Sequence, residues 1–251
     1  KDEPEEAEKC FLRAKELTPD SHFLAGRMGE VAMEKGEFET ARDIFYDILK
    51  DEPYDTFYRS MAMEASQGVI RLKQEAIERL SESGEDPVRV KDEIERLTLD
   101  LAAAFYQCYR FEDGVKTLRG MEEPSISVRK VTYYNYLGRC LLSLRKVDEA
   151  EREIQNWIDA IHLIPQSDES DDAVKARRRM GYAVTLLGEC RMQQHLFDEA
   201  REALDSAMLM HHEEILITLE ERCRLEYMTD HFREGIQVAV ELEKRCPGNY
   251  V

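Results

Sequence analysis

The sequence is short of structure breakers and of aromatic residues. Among 251 residues there are 12 Gly, 7 Pro and a single Trp, and aromatics make up 8%. It also lacks any long apolar run. The longest, Leu101 to Tyr106, is far too short to cross a bilayer, and no signal-peptide pattern opens the chain. Positive charge is scarce: 35 Lys and Arg stand against 53 Asp and Glu, a net charge of −18. That balance excludes a duplex-binding surface, which must neutralise phosphates, and equally a binder of anionic membranes. The six cysteines (Cys10, Cys108, Cys140, Cys190, Cys223 and Cys246) include no C-x-x-C pair and no close spacing. This is neither a disulfide framework nor a zinc site, and each thiol falls in or at the end of an apolar-periodic stretch. A reducing, cytoplasmic compartment is the expectation. There is no G-x-S-x-G, no P-loop and no G-x-G-x-x-G, so the sequence predicts neither an enzyme nor a cofactor.

What is present is a core-forming, helix-favouring composition, with 43% hydrophobic and 35% charged residues. It is arranged in repeats. Ala7, Phe11 and Pro19 recur 34 residues later as Ala41, Phe45 and Pro53. Leu137-Gly138-Arg139-Cys140 and Asp148-Glu149-Ala150 recur 50 residues later as Leu187-Gly188-Glu189-Cys190 and Asp198-Glu199-Ala200. Within each unit one small residue follows another after twelve positions: Gly29/Ala41, Ala102/Gly114, Gly138/Ala150, Gly188/Ala200 and, more loosely, Cys223/Gly235. The constant spacing predicts two short helices joined by a tight turn and crossing closely where the small residues face each other. Phe45, Leu118, Ile154 and Leu204, four positions after the second small residue, fill the space beside the crossing. Pro19, Pro53 and Pro247 terminate pairs, Asp148 and Asp198 are placed to cap second helices, and Glu149 and Glu199 complement their dipoles.

These residues resemble the tetratricopeptide repeat (TPR) family. The pattern is best kept in residues 20–53, as Met28-Gly29, Phe38, Ala41, Phe45 and Pro53. The usual early Trp is absent, since Trp157 falls in a second helix, and the last unit has Arg222-Cys223 where Leu-Gly belongs. The resemblance implies an all-α fold, a right-handed α-solenoid of TPR-like helix-turn-helix repeats with one long helical hairpin insertion. Its expected units are a half repeat 1–19, a repeat 20–53, an extended unit 54–124, and repeats 125–164, 173–212 and 213–247. Pro4 opens the second helix of a repeat whose first helix is missing, and Pro247 leads toward a further repeat, so a longer parent is expected.

Two stretches break the period. Tyr58, Ala62, Ala65, Val69, Leu72, Ala76 and Leu80 keep phase across Gly68, as do Val90, Ile94, Leu97, Leu101 and Phe105 further on. They predict two long helices, 56–82 and 88–109, with a turn at 83–87. A rival reading breaks the first helix at Ser66-Gln67-Gly68, but one helical Gly costs only ~1 kcal/mol and the unbroken helix is favoured. The excess of the 50-residue spacing over a TPR falls between Trp157 and Arg179, around the acidic segment 165–172, read as a loop.

Several clusters have a plain structural reading. His211-His212-Glu213-Glu214 cannot share a metal as an H-E-x-x-H pair does, because adjacent helical residues diverge by about 100°. A solvated helix boundary is expected there. The basic run Lys175, Arg177, Arg178 and Arg179 is expected to pair with Asp168, Glu169, Asp171 and Asp172. Tyr133-Tyr134-Asn135-Tyr136 admits two readings: an exposed aromatic interface, or Tyr133 and Tyr134 packed between repeats with Tyr136 reaching out.

In a TPR solenoid the first helices line the concave wall. Positions three before, one after and four after the first small residue share a helical face. They gather a candidate partner-binding face of Glu30, Met33, Tyr106, Asn135, Arg139, Leu142, Thr185, Glu189 and Met192, continued by Glu220, Arg224 and Tyr227. The chaperone-binding members of the family hold a carboxylate there with Lys and Asn; Gly26 and Glu30 occupy the first two of those places, so that clamp is not implied. The reading is a non-catalytic scaffold for a protein or peptide partner, without nucleic acid or membrane. A ligand-responsive regulator closing around a small signalling peptide is the alternative.

Overall fold

The computed structural model describes residues 4–18, 21–52, 55–210, 212 and 214–245. It shows helices and no strand among them. Pro19, Pro53, Pro247, His211, Glu213 and Cys246 lie outside the described residues. The chain divides into two compact units, Lys1–Asp113 and Gly114–Val251. The first holds α1 (Pro4–Leu17), α2 (His22–Glu34), α3 (Phe38–Asp51), α4 (Thr56–Glu82) and α5 (Pro87–Gln107), and α6 (Phe111–Arg119) runs through the division. The second holds α7 (Ser127–Ser143), α8 (Val147–His162), α9 (Asp171–Arg178), α10 (Met180–Gln193), α11 (Phe197–Met208), α12 (Ile215–Met228) and α13 (Phe232–Arg245).

Consecutive helices pack in pairs, and each pair leans on the next: α2 on α3, α3 on α4 and α4 on α5 in the first unit, α7 on α8, α8 on α10, α10 on α11, α11 on α12 and α12 on α13 in the second. The twelve-residue spacing has the predicted cause. A Cβ on Gly29 would meet the Phe45 ring at 2.6 Å, one on Gly138 would meet Ile154 at 2.8 Å, and one on Gly188 would meet Leu204 at 2.9 Å. Ala41, Ala150 and Ala200 are wholly buried opposite them.

Every turn of the repeat ends its first helix alike. The residue seven positions after the small one takes a left-handed backbone: Gly36 at φ 76°, Tyr109 at 57°, Arg145 at 59°, His195 at 61° and Asp230 at 59°. The following N–H then reaches back five residues, as from Lys146 to the Leu141 carbonyl at 3.0 Å and from Leu196 to the Arg191 carbonyl at 2.9 Å, so that carbonyls at the helix end are satisfied. Only the first of the five positions carries the glycine that this geometry favours.

The long hairpin forms as predicted. Helix α4 is continuous through Gly68, which sits under the Phe38 ring; α5 opens on Pro87 behind an Asp86 cap and stops at Gln107, two residues early, because Tyr109 turns left-handed.

Four expectations need correction. Asp148 and Asp198 lie inside the first turns of α8 and α11, whose cap positions are Lys146 and Leu196, and neither cap makes a side-chain hydrogen bond. Tight turns with a left-handed residue leave no extended position for an Asx cap, so the two aspartates act on the helix dipole from within the first turn. Asp148 also accepts from Gln194 at 3.0 Å and Asp198 from Arg201 at 3.1 Å. The segment between Trp157 and Arg179 is not loop throughout: Ser170 accepts from the Ala173 N–H and starts α9, with Asp171 and Asp172 in its first turn and Arg177 and Arg178 in its last. Arg177 does not seek the acidic side chains; it donates to the carbonyls of Pro165 (2.9 Å) and Asp168 (2.7 Å) and ties the preceding loop to α9. Finally, the His212 side chain is fully buried rather than solvated.

The irregular last pair packs onto the preceding one through charge, α12 against α11. Arg222, in the leucine position, donates to Asp205 at 2.8 Å and pairs with Glu226, which is 1% exposed and also receives Arg201 at 3.1 Å.

Candidate partner-binding face

The second unit shows what the first-helix face offers. On α7, Asn135 is 1% exposed and Leu142 is buried, leaving Arg139 half-buried between them. On α10, Thr185 and Met192 are buried and Glu189 is half-buried. Four of the nine residues predicted for this face are therefore closed to a partner. On α10 the reason is packing between successive first helices: α10 lies directly against α12. The Thr185 and Thr218 hydroxyls meet across that joint at 2.7 Å, and Met192 joins Ala200, Leu204 and Leu225 in one apolar cluster. On α7 and α10 only the central position, one after the small residue, stays open.

The open residues are polar. Arg139 lies 5.4 Å from the Tyr182 ring and 5.8 Å from that of Tyr136, and Tyr182 stands edge-on to the buried Trp157. Glu189 accepts from Gln193 at 3.1 Å and faces Arg224 of α12 at 4.0 Å, while Arg224 approaches Glu221 at 2.8 Å. Burial pushes the Glu221 carboxyl up to about 7, helped by Glu189 and Glu220 and opposed by Arg224. Burial raises Glu220 as well. Tyr227, at the end of α12, is 72% exposed. Sequence reasoning missed Glu221, although Glu220-Glu221 followed by Arg224 places a second carboxylate one turn from that cation.

Of the tyrosine run, Tyr133 is buried and packs edge-on to Tyr134 with 5.1 Å between the rings. Tyr134 and Tyr136 are half-buried, which matches the packed reading. In the first unit Glu30 pairs with Arg27, Met33 rests on the cluster around Ala41 and Phe45, and Tyr106 tilts against Phe111 at 5.5 Å; all three are half-buried. Among the described residues no three His, Cys, Asp or Glu side chains converge as a metal site. No helix there is long and apolar enough to cross a membrane.

No protein-family model matches the chain, and no curated protein matches it in sequence. Solved structures do. PilF of Pseudomonas aeruginosa is similar over 98% of this chain and 95% of its own, at 13% identity and a TM-score of 0.50. A signal-transduction ATPase from Pyrococcus horikoshii, described as having a tetratricopeptide repeat sensor, is similar over 95% of this chain and 40% of its own, at 13% identity and a TM-score of 0.51. The chain has the tetratricopeptide repeat fold. RapI in its apo form agrees, at 11% identity over 94% of this chain and 68% of its own, with a TM-score of 0.52. In tetratricopeptide terms α7, α10 and α12 are the first helices of three pairs and α8, α11 and α13 the second.

Proposed function

We propose that this chain is a non-catalytic interaction module, and that the first-helix face of its second unit holds a cationic stretch of a partner polypeptide. The observation that carries this is the charge imbalance at the α10–α12 joint. Glu189, Glu220 and Glu221 are half-buried there with Arg224 as the nearby cation, and burial, reinforced by the neighbouring carboxylates, raises the Glu221 pKa. A Lys or Arg side chain entering the joint would relieve that repulsion in partly desolvated surroundings, where a charge pair gains more than in bulk water. Arg139 with the half-buried Tyr136, and Tyr227 beyond, add flat contact area on first helices of the same unit. The description of the Pyrococcus repeats as a sensor supports a binding role. A reducing cytoplasmic setting suits Cys108, Cys140, Cys190 and Cys223, which are free thiols.

The test is binding of labelled Lys/Arg-rich peptides and of their Asp/Glu counterparts to the wild type, to E189Q/E220Q/E221Q, and to E78Q/E82Q/E85Q. The last alters net charge equally at exposed positions of the α4–α5 hairpin. Cationic peptides are expected to bind in a salt-dependent manner and to lose at least tenfold in affinity in the first variant only. Equal losses in both variants would reduce the effect to net charge and refute the site.

A further inference from the structure

A chain of buried hydroxyls runs from α10 to α12 and ends on a histidine. Thr185 donates to the Gly181 carbonyl at 2.9 Å, so its oxygen accepts from the Thr218 hydroxyl at 2.7 Å. The Thr218 oxygen in turn accepts from Nε2 of His212 at 3.2 Å. Each link fixes the next, and the chain ends by placing a proton on Nε2, which sets the tautomer of the neutral ring and leaves its charge to the surroundings of Nδ1. The ring itself is fully buried. It lies so close over the start of α10 that a Cβ on Gly181 would stand 2.3 Å from its Cδ2. Nδ1 has no hydrogen-bond partner among the described residues. The charged group facing it there is Glu214, 3.7 Å from Nδ1; α10 presents Gly181 and Thr185, α12 presents Thr218, and α11 the Ala207 carbonyl.

We propose that His212 is a protonation-operated latch, joining α10 to α12 while neutral and loosening that joint when charged. The cation would sit where solvent does not reach, and the Glu214 carboxylate and Ala207 carbonyl only partly compensate. Burial accordingly holds the His212 pKa below the ordinary histidine value against the pull of Glu214. The sign follows: above the ordinary value both folded and open forms are neutral and the latch is closed. As pH falls, the open form takes up the proton first, and opening grows easier until the folded value is reached. Each pKa unit between the two values makes opening tenfold more frequent. The joint is the one that seats Glu189, Glu220 and Glu221, but the latch does not depend on what binds there.

The test is an NMR titration of the histidine ring protons in the full chain, with exposed His162 as internal reference, together with hydrogen exchange of α12 corrected for intrinsic rates. His212 is expected to titrate below His162, and α12 amides to open at least several-fold more often at pH 5.0 than at pH 7.5. His212→Gln keeps a donor toward Thr218 but does not titrate, and should flatten that dependence. Gly181→Ala should expel the ring and move its midpoint to that of His162. A His212 midpoint at or above that of His162 overturns the latch, even if neither variant folds, as does acid-dependent opening that persists in His212→Gln.

Discussion

Replacing Arg145 by glycine should stabilise the second unit although it removes a side chain that makes a hydrogen bond. Arg145 holds φ 59° in the turn between α7 and α8, where a Cβ costs roughly 1–2 kcal/mol. Glycine removes that cost but has more freedom to lose on folding, about 0.5–1 kcal/mol. The side chain is exposed, and its bond to Gln193 at 3.2 Å adds little. Arg145→Ala loses the same bond and keeps the strain, so the comparison of Arg145→Gly with Arg145→Ala isolates the backbone. Glycine should be the more stable of the two by about 0.5–1 kcal/mol, a shift of roughly 0.5 M in the urea midpoint with the slope unchanged. Trp157, wholly buried on α8 and edge-on to Tyr182, reports unfolding of this unit by fluorescence. Coincident curves for the two variants would refute the claim that Arg145 holds a strained backbone.

Gly68→Ala should destabilise the first unit by about 1–2 kcal/mol in urea melts followed by circular dichroism, because the Phe38 ring lies 2.3 Å from the new Cβ and helix propensity recovers only part of the loss. Stabilisation would show that Phe38 swings aside freely. Glu226→Gln leaves Arg201 and Arg222 short of their buried partner and should cost about 3–5 kcal/mol by Trp157 fluorescence; a loss under ~1 kcal/mol would reduce the cluster to packing. Glu221 gives a pH signature. Its folded pKa of about 7 lies above the ordinary 4.5, so between those values the folded form holds a proton that the unfolded form has released. Stability therefore falls as pH rises through that window, by up to roughly 3 kcal/mol, and Glu221→Gln should flatten the slope. An unchanged slope would show that the carboxyl is hydrated.

The fold was legible because its strongest constraint is steric and local. A small residue at Gly138 or Gly188 leaves room for Ile154 or Leu204 on the facing helix, and that requirement writes a fixed spacing into the sequence. The continuity of α4 was legible for the same reason: phase held across Gly68, and the glycine proved to be a point of contact with Phe38 rather than a break. The left-handed turns were invisible beyond Gly36, because Tyr109, Arg145, His195 and Asp230 tolerate that backbone without advertising it. Helix α9 was hidden by an acidic composition that also suits a loop; the Ser170 cap and the acid-to-base order of the segment 171–178 were the available signals.

The candidate face was harder to read, and α10 shows why. Helical period separates a buried stripe from an open one only when a helix has one packed side, and α10 is buried nearly all round, between α8, α11 and α12. A residue such as Thr185 then looks like a groove-lining hydroxyl in the sequence, while in the fold its polarity serves Thr218 on the neighbouring helix. What distinguishes the open position is the pairing of charges between successive first helices, Glu189 with Arg224. A charge one residue after the small position, answered by an opposite charge at the same place in the next pair, cannot be spent on the apolar core and must face outward. By that criterion Arg139, Glu189 and Arg224 belong to the accessible row and Asn135, Thr185 and Met192 to its supports. Changing a support should alter stability before binding, and changing a member of the row should do the reverse.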